Sequence, residues 1–457
     1  MRALFIFTLF LSSLSFGQSL SQDLAQRVQS TLKSSAGYSS SISFYVGDLD
    51  GNLVYEYNGN TGLSSASTQK VMTAGAVLET LGEDFKWTTQ VTYGGEFSSG
   101  DLQGWLKVYS DGDPTLGSWR YNGHKPEDFK RQLIQTIKEK GITKVSGTLW
   151  IDDSVYDMQT HPGGFPWNDI GNYYGAGVFG VNWRENQFDM FTEGKRITGF
   201  NVPMDHIHWI NELSEGGSSD QSLIFTAPFS NVALINGTLP RKKMTVSGSM
   251  PNPPEQLALE IKNWLKEAGI EFTGSIQTTS LAKIKGEKLP MEKEKEVLLK
   301  YHSPELKEVV YWFLRKSVNF YGESFIKTMA KEKTGKGSFD EGIKYLKEFW
   351  KERGIRSQMI NFADGSGLSP QNYVSARAQV QALIWARKQP WFQTFYDGFP
   401  TQGNGMKMKS GTMKNTKSFA GYHQSKSGKT YVFSILLNNY QSSNLSQALY
   451  DILAPLK

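Results

Sequence analysis

Ser67-Thr68-Gln69-Lys70 is the stretch on which the reading of this chain turns. It leads into a predicted helix over 70–81 that Gly82 ends, with Val71, Ala74, Leu78 and Leu81 recurring at helical spacing as its buried face. A serine and a lysine three residues apart share one face of a helix. A serine at a helix N-terminus sits at the positive end of the helix dipole, which favours a developing negative charge. A lysine buried beside it loses its proton readily and can then act as the base that activates the hydroxyl. The spacing points to a nucleophilic serine. Ser30/Lys33, Ser280/Lys283 and Ser324/Lys327 repeat it, however, so the rest of the chain has to decide.

The chain has 457 residues, a net charge of +5 and no cysteine. That length predicts two or three domains. The positive charge is mild and scattered, without a long Lys/Arg tract; it does not call for nucleic acid and permits attraction to an anionic polymer. Without cysteine there is no lipoprotein anchor, disulfide framework or thiolate metal site. Met1-Arg2, an apolar run over 3–11, and the small residues Ser15 and Gly17 before Gln18 fit a secretory signal peptide over 1–17. The run is too short for a bilayer anchor. The expected location is therefore the periplasm, with no transmembrane span in the mature chain.

Taken in order, a helix is predicted over 21–34, then strands over 42–46 and 53–57 joined around Asp50-Gly51. From Thr88 the texture changes. Short strands are predicted over 90–93, 102–109, 147–151, 223–226, 232–235 and 244–250, with helices over 125–141 and 255–268. The aromatic, Gly-rich stretch Pro162 to Trp183 either lines a groove or packs as a rigid loop. The charge-dense 283–300 region, with Pro290, reads as a solvated connector. Helices return over 304–329, 341–353 and 376–387, followed by a hairpin of 418–424 and 429–437 and a closing helix over 446–453. Residues 18–87 and 298–457 thus form one α/β domain. Residues 88–297 are an inserted, mostly β region, read as one domain with a smaller nested one.

Two further motifs fall in the second half. Ser317 and Asn319 are two residues apart and cannot share a face of an unbroken helix. At a helix start they could converge, Ser317 relaying a proton and Asn319 binding an amide; a local cap or turn explains the same pattern, and Ser442/Asn444 repeats it. Lys409-Ser410-Gly411-Thr412 precedes the C-terminal hairpin. As a strand it offers an ammonium, two hydroxyls and, at Gly411, room for a substrate against the backbone. Lys333-Thr334-Gly335 reads instead as a helix end and Lys426-Ser427-Gly428 as a hairpin turn. His206-x-His208 is the one histidine pair with ligand-like spacing and reads as a strand-edge pair.

The ordered triple Ser-x-x-Lys, Ser-x-Asn, Lys-Ser/Thr-Gly is the signature of penicillin-binding proteins and class A β-lactamases. The gaps are 317 − 67 = 250 and 409 − 317 = 92 residues. The first is far too long for a compact β-lactamase. It resembles the class C low-molecular-mass penicillin-binding proteins, the D-alanyl-D-alanine carboxypeptidase/endopeptidase family, which carry a large insert after the nucleophile helix. Gly112-Asp113-Pro114-Thr115-Leu116 and Ile151-Asp152-Asp153-Ser154 look like that insert. His302-Ser303-Pro304 and Asp364-Gly365-Ser366-Gly367-Leu368-Ser369 look like the catalytic domain. Val318 stands where the family usually has Asp, and Ser410 where it has Thr.

The resemblance implies a serine DD-peptidase/β-lactamase-like transpeptidase domain acting on peptidoglycan stem peptides and acylated by β-lactam antibiotics. Ser67 attacks the penultimate D-Ala carbonyl and Lys70 takes its proton. Ser317 and Lys409 pass a proton to the departing D-Ala, and Asn319 holds the peptide. Ser410 and Thr412 bind the terminal carboxylate, and the N–H groups of Ser67 and Thr412 form the oxyanion hole. It implies no metal and no cofactor. A β-lactamase or esterase using Ser67, and a wall-binding protein with a decayed site, are the competing readings. The sequence does not divide carboxypeptidase from endopeptidase action.

Overall fold

The two ends of the chain meet in one antiparallel sheet. Its strand order is Leu53–Tyr57, Ser41–Asp48, Thr430–Asn438, Thr416–Gln424, Met408–Met413. The computed structural model describes residues 19–457, so the signal-peptide expectation for 1–17 lies outside the described residues. Thr430–Asn438 sits at the centre of the sheet, and its alternation serves both faces. Tyr431, Phe433, Ile435 and Leu437 join Leu24, Val28, Leu449 and Ile452 from the first and last long helices, Leu20–Lys33 and Leu445–Leu453. Val432 and Leu436 turn the other way, onto a helical layer. A fully buried side chain of this size stabilises by about 1.5–3 kcal/mol, so a strand buried on both faces anchors the domain.

The helical layer holds Lys70–Leu81 at its middle, packed by Leu306–Arg315, Asn319–Thr334 and Ala376–Arg387. The predicted single apolar face of the first of these is too narrow: every residue from Lys70 to Leu78 is buried. A helix buried all round is the form a central element takes. Its N-terminus and Lys70 are thereby removed from bulk water.

The region following Thr88 builds a second five-stranded sheet, ordered Ser275–Thr278, Thr148–Asp152, Trp105–Ser110, Thr88–Gly94, Glu294–His302. Helices Pro126–Glu139 and Pro253–Glu267 supply Phe129, Leu133, Leu257 and Ile261 to its core. Two three-stranded sheets from residues 187–249 share that core through Phe188, Ile224, Ile235 and Val246.

Four expectations need correction. The 283–300 region is not a connector. It ends the helix Thr279–Lys285 and enters the strand Glu294–His302, which pairs with Thr88–Gly94. That strand is at a sheet edge, where Glu and Lys are tolerated and discourage further pairing. The predicted strand over 102–109 is two, Asp101–Leu102 and Trp105–Ser110, in different sheets. The helical run over 304–329 breaks at Lys316–Val318. Strands Gln187–Glu193, Arg196–Phe200 and His208–Glu215 were not predicted. The last is exposed along most of its length and so lacks a clean alternation.

Candidate active site

Ser67 lies on a single tight helical turn, Ala66–Gln69, that runs straight into Lys70–Leu81. Lys70 is wholly buried, and its Nζ has three neighbours: Ser67 Oγ at 2.9 Å, Asn319 Oδ1 at 2.7 Å and the Ser366 carbonyl at 2.7 Å. Burial pulls its pKa down to about 7, against the opposing pull of Asp364 and Glu323. A neutral amine has two N–H groups and one lone pair. Asn319 Oδ1 and the Ser366 carbonyl can only accept, so they take the two N–H groups and leave the lone pair for the Ser67 hydroxyl.

The break before Asn319–Thr334 places the second motif. Ser317 adopts φ 59°, and Val318 caps the helix in extended conformation. This kink at the helix start lets Ser317 and Asn319 reach two different lysines. Asn319 Oδ1 accepts from Lys70 while its Nδ2 donates to the Tyr174 carbonyl at 2.8 Å. Ser317 Oγ accepts from Lys409 Nζ at 3.0 Å, and Lys409 also donates to its neighbour's carbonyl, Ser410 O, at 2.7 Å. Lys409 is buried, which drives its pKa well below the ordinary value, with Lys70 and Lys417 adding repulsion.

The third motif lies on the edge strand Met408–Met413. Ser410 and Thr412 alternate to the face opposite Lys409 and Gly411. Thr412 lines the cleft that contains Ser67, and its Oγ accepts from Lys417 Nζ at 2.7 Å. Gly411 owes its identity to the protein's own packing rather than to room for a substrate, as the sequence suggested. A Cβ there would come 2.9 Å from Ser67 N, 2.5 Å from Ser65 O and 2.3 Å from Ser418 Oγ. The strand thus lies directly against the nucleophile turn, bringing the neighbouring Thr412 and Ser67 backbones to one rim of the cleft.

The cleft holds about 450 Å³ and is lined by Ser67, Asn319, Thr412 and Met413, by Gly367 and Leu368, and by Pro166, Asp169 and Tyr174. Pro162 to Trp183 therefore does line a groove. Within it, Trp167–Ile170 and Tyr173–Gly175 form short helical turns. Burial raises the pKa of Asp169, which accepts a long hydrogen bond from Tyr174 Oη at 3.3 Å. A larger cavity of about 560 Å³ by Gly163, Lys344, Lys347 and Asn361 contains none of the three motifs.

Sequence reasoning missed the groups behind the motifs. Asp364 Oδ1 accepts from the N–H groups of Ser366 and Gly367, and its Oδ2 from that of Ser369. This Asx-type turn aims the Ser366 carbonyl at Lys70; the Asp-Gly-Ser-Gly run was its only visible sign. Glu185, in the region following Thr88, was missed too. Arg184, Glu185 and Asn186 have φ of 54°, 52° and 54°, three successive left-handed residues. The turn buries the Glu185 carboxylate, whose Oε1 accepts from Ser118 Oγ at 2.6 Å, Arg120 Nε at 2.8 Å and Tyr321 Oη at 2.6 Å. Tyr321 is two residues beyond Asn319, so this network seats the region following Thr88 on the helix that carries the second motif.

The arrangement is that of a serine acyl-transfer enzyme: a hydroxyl at a helix start, a buried amine to take its proton, and a second lysine–serine pair across the cleft. The profile of the D-Ala-D-Ala carboxypeptidase 3 (S13) family matches residues 24–455, and the chain belongs to that family. It is 26% identical over 436 residues to D-alanyl-D-alanine carboxypeptidase DacB of Haemophilus influenzae, covering 89% of this chain and 87% of that protein. It is also 26% identical over 441 residues to the D-alanyl-D-alanine carboxypeptidase of Actinomadura sp. (strain R39), covering 88% and 78%. The fold superposes on the crystal structure of penicillin binding protein 4 (dacB) from Haemophilus influenzae with a TM-score of 0.77 at 23% identity, covering 94% of this chain and 97% of that one.

Proposed function

We propose that this D-Ala-D-Ala carboxypeptidase cleaves the terminal D-Ala from peptidoglycan stem peptides through a Ser67 acyl-enzyme. The observation that carries the reading is the Lys70 amine, buried, 2.9 Å from Ser67 Oγ and with its other two neighbours both pure acceptors. Lys70 takes the Ser67 proton as Oγ attacks the penultimate carbonyl, and general-base help of this kind contributes about 10²–10⁴-fold. The N–H groups of Ser67 and Thr412 receive the oxyanion, each such donor being worth about 10²–10³. Ser317, bonded to Lys409, passes a proton to the departing amine. Thr412 in the cleft, with Ser410 on the same face of its strand, takes the terminal carboxylate. Asn319 both steadies Lys70 and borders the path of the peptide. Water then hydrolyses the ester.

The same nucleophile accepts β-lactams. Asp169 in the cleft wall favours substrates that bring a cationic group near the scissile bond. The readings of residues 1–17 as a signal peptide, of 88–297 as an inserted unit ending near the Glu294–His302 strand, and of a periplasmic site of action form part of this proposal. Endopeptidase action on the same bond type uses the same groups.

The test is intact mass after a brief benzylpenicillin pulse, followed over an hour, with D-Ala release assayed in parallel. We expect a lasting one-to-one adduct and D-Ala release, both abolished in Ser67→Ala. An adduct that vanishes within seconds while drug is consumed would mean a β-lactamase. Normal D-Ala release by Ser67→Ala would overturn the mechanism.

A further inference from the structure

Behind Lys70, on the side away from the cleft, two carboxylates are wholly buried: Glu323 of the helix Asn319–Thr334 and Asp364 of the adjoining turn. Glu323 follows Asn319 by four residues and so faces the same way. The two carboxylates are partnered very differently. Asp364 accepts three backbone N–H groups and the Gln69 amide. Glu323 accepts one from the backbone, from Gly365 N at 2.9 Å, and has the Ser366 hydroxyl beside it, while its buried Oε1 makes no close hydrogen bond among the described residues. Between them they grip Gly365, Ser366 and Gly367, the residues that present the Ser366 carbonyl to Lys70 at 2.7 Å.

Two buried carboxylates this close cannot both carry charge cheaply. Asp364, wrapped in N–H donors, keeps the charge, although burial raises its pKa as well. Glu323, with fewer donors, keeps the proton; burial and then Asp364 push its pKa up to about 8, against the Gly365 N–H and the Ser366 hydroxyl, next to the value of about 7 for Lys70. We propose that Glu323 is a positioning residue for this acyl transfer: with Asp364 it braces the turn that holds Lys70 against Ser67, and it shares one proton with that lysine. The inference rests on the acyl-enzyme reading given above.

The charged groups that act on this set are few. Asp364 faces Glu323 from the turn and Lys70 faces it from the nucleophile helix. Lys409 faces Lys70 from the edge strand, with Lys417 beyond it. The neighbouring helix Leu306–Arg315 presents the Phe313 ring, 5.6 Å from Lys70 Nζ. At low pH Lys70 is an ammonium and Glu323 a neutral acid. As pH rises, the next proton leaves either group. Lost from Lys70, it frees the base; lost from Glu323, it leaves an ammonium held beside a carboxylate, and Ser67 stays idle. Such coupled sites titrate as a pair and spread over more pH than one proton needs.

The experiment is the second-order rate of Ser67 acylation by benzylpenicillin, read by intact mass against pH, for the parent and for Glu323→Gln. Gln keeps the bond from Gly365 N but has no proton to share. We expect the parent's acid limb to spread beyond the about two pH units of a single-proton titration. Glu323→Gln should show a single-proton limb with its midpoint lower by about half a unit or more, and a plateau rate close to the parent's. Glu323→Met, of similar volume, should also give a single-proton limb with a lower plateau because the brace is gone; it serves if the Gln variant does not fold. A single-proton limb in the parent would overturn the proposal. So would a variant that is uniformly slower with an unmoved limb, or one whose limb stays broad, which would assign the breadth to Lys409. A parent that is not acylated at any pH would instead remove the acyl-transfer reading on which the inference stands.

Discussion

Two buried carboxylates on the flanks of one helix have opposite circumstances. Glu185 reaches Tyr321 from the region following Thr88 with its acceptor positions filled by Ser118, Arg120 and Tyr321. Glu323, two residues along from Tyr321, has an oxygen without a close hydrogen bond among the described residues and feels the charge of Lys70. A buried carboxylate that is fully paired fastens parts together, and removing it leaves a bare counter-charge. One that is under-paired holds a proton and stays open to exchange it. The helix Asn319–Thr334 therefore carries a fixture on one side and proton chemistry on the other.

Changes on the chemical side should be the larger. Lys70→Ala should slow acylation by about 10²–10⁴-fold while the fold is kept, because a small side chain in that pocket removes the base and a buried amine together. In the parent the same base sets the pH response. Below the Lys70 value of about 7 the amine is an ammonium without a lone pair, so kcat/KM for D-Ala release should fall as pH drops through that value. A flat profile down to about pH 5 would break the contrast. Next comes Gly411→Ala. Its Cβ would press on Ser67 N and Ser65 O, displacing strand from nucleophile; a shift of about 1 Å costs about 10²-fold in rate. Unchanged acylation would mean that strand and turn can part without loss.

On the structural side, Glu185→Ala should cost stability, by about 3 kcal/mol, because Arg120 and two buried hydroxyls lose their acceptor. Urea unfolding measures it. The acylation rate of the folded fraction should keep the parent's acid midpoint. A moved midpoint would show that Glu185 acts on the proton chemistry too, and the division between the two carboxylates would fail.

The sequence made one side of this comparison readable and hid the other. Ser67, Lys70 and the helix behind them follow from local spacing, and the sheet strands near the ends follow from alternation and turns. Glu323 sits in Asn319-Phe320-Tyr321-Gly322-Glu323-Ser324, where a glutamate looks like an ordinary solvated helix residue. Its burial comes from the turn at Asp364, and no local pattern reports a contact between positions so far apart. The positive φ of Ser317, Arg184, Glu185 and Asn186 was equally hidden, since no glycine marks those places. The strand Glu294–His302 was misread because a charged sheet edge and a solvated linker have the same composition.

The pairing of Ser41–Asp48 with Thr430–Asn438 has a consequence for how the protein comes into being. Synthesis delivers Ser67 long before the Lys409 strand beside it and the strands Thr416–Gln424 and Thr430–Asn438 behind that one. The sheet spanning Thr88–Gly94 to Glu294–His302 draws all five of its strands from its own stretch, so they can pair while the ribosome is still working. The nucleophile is thus built in two instalments. A chain cut short before Thr430 would lack the central strand of the sheet whose edge packs on the nucleophile turn, so reactivity is withheld until that strand has emerged.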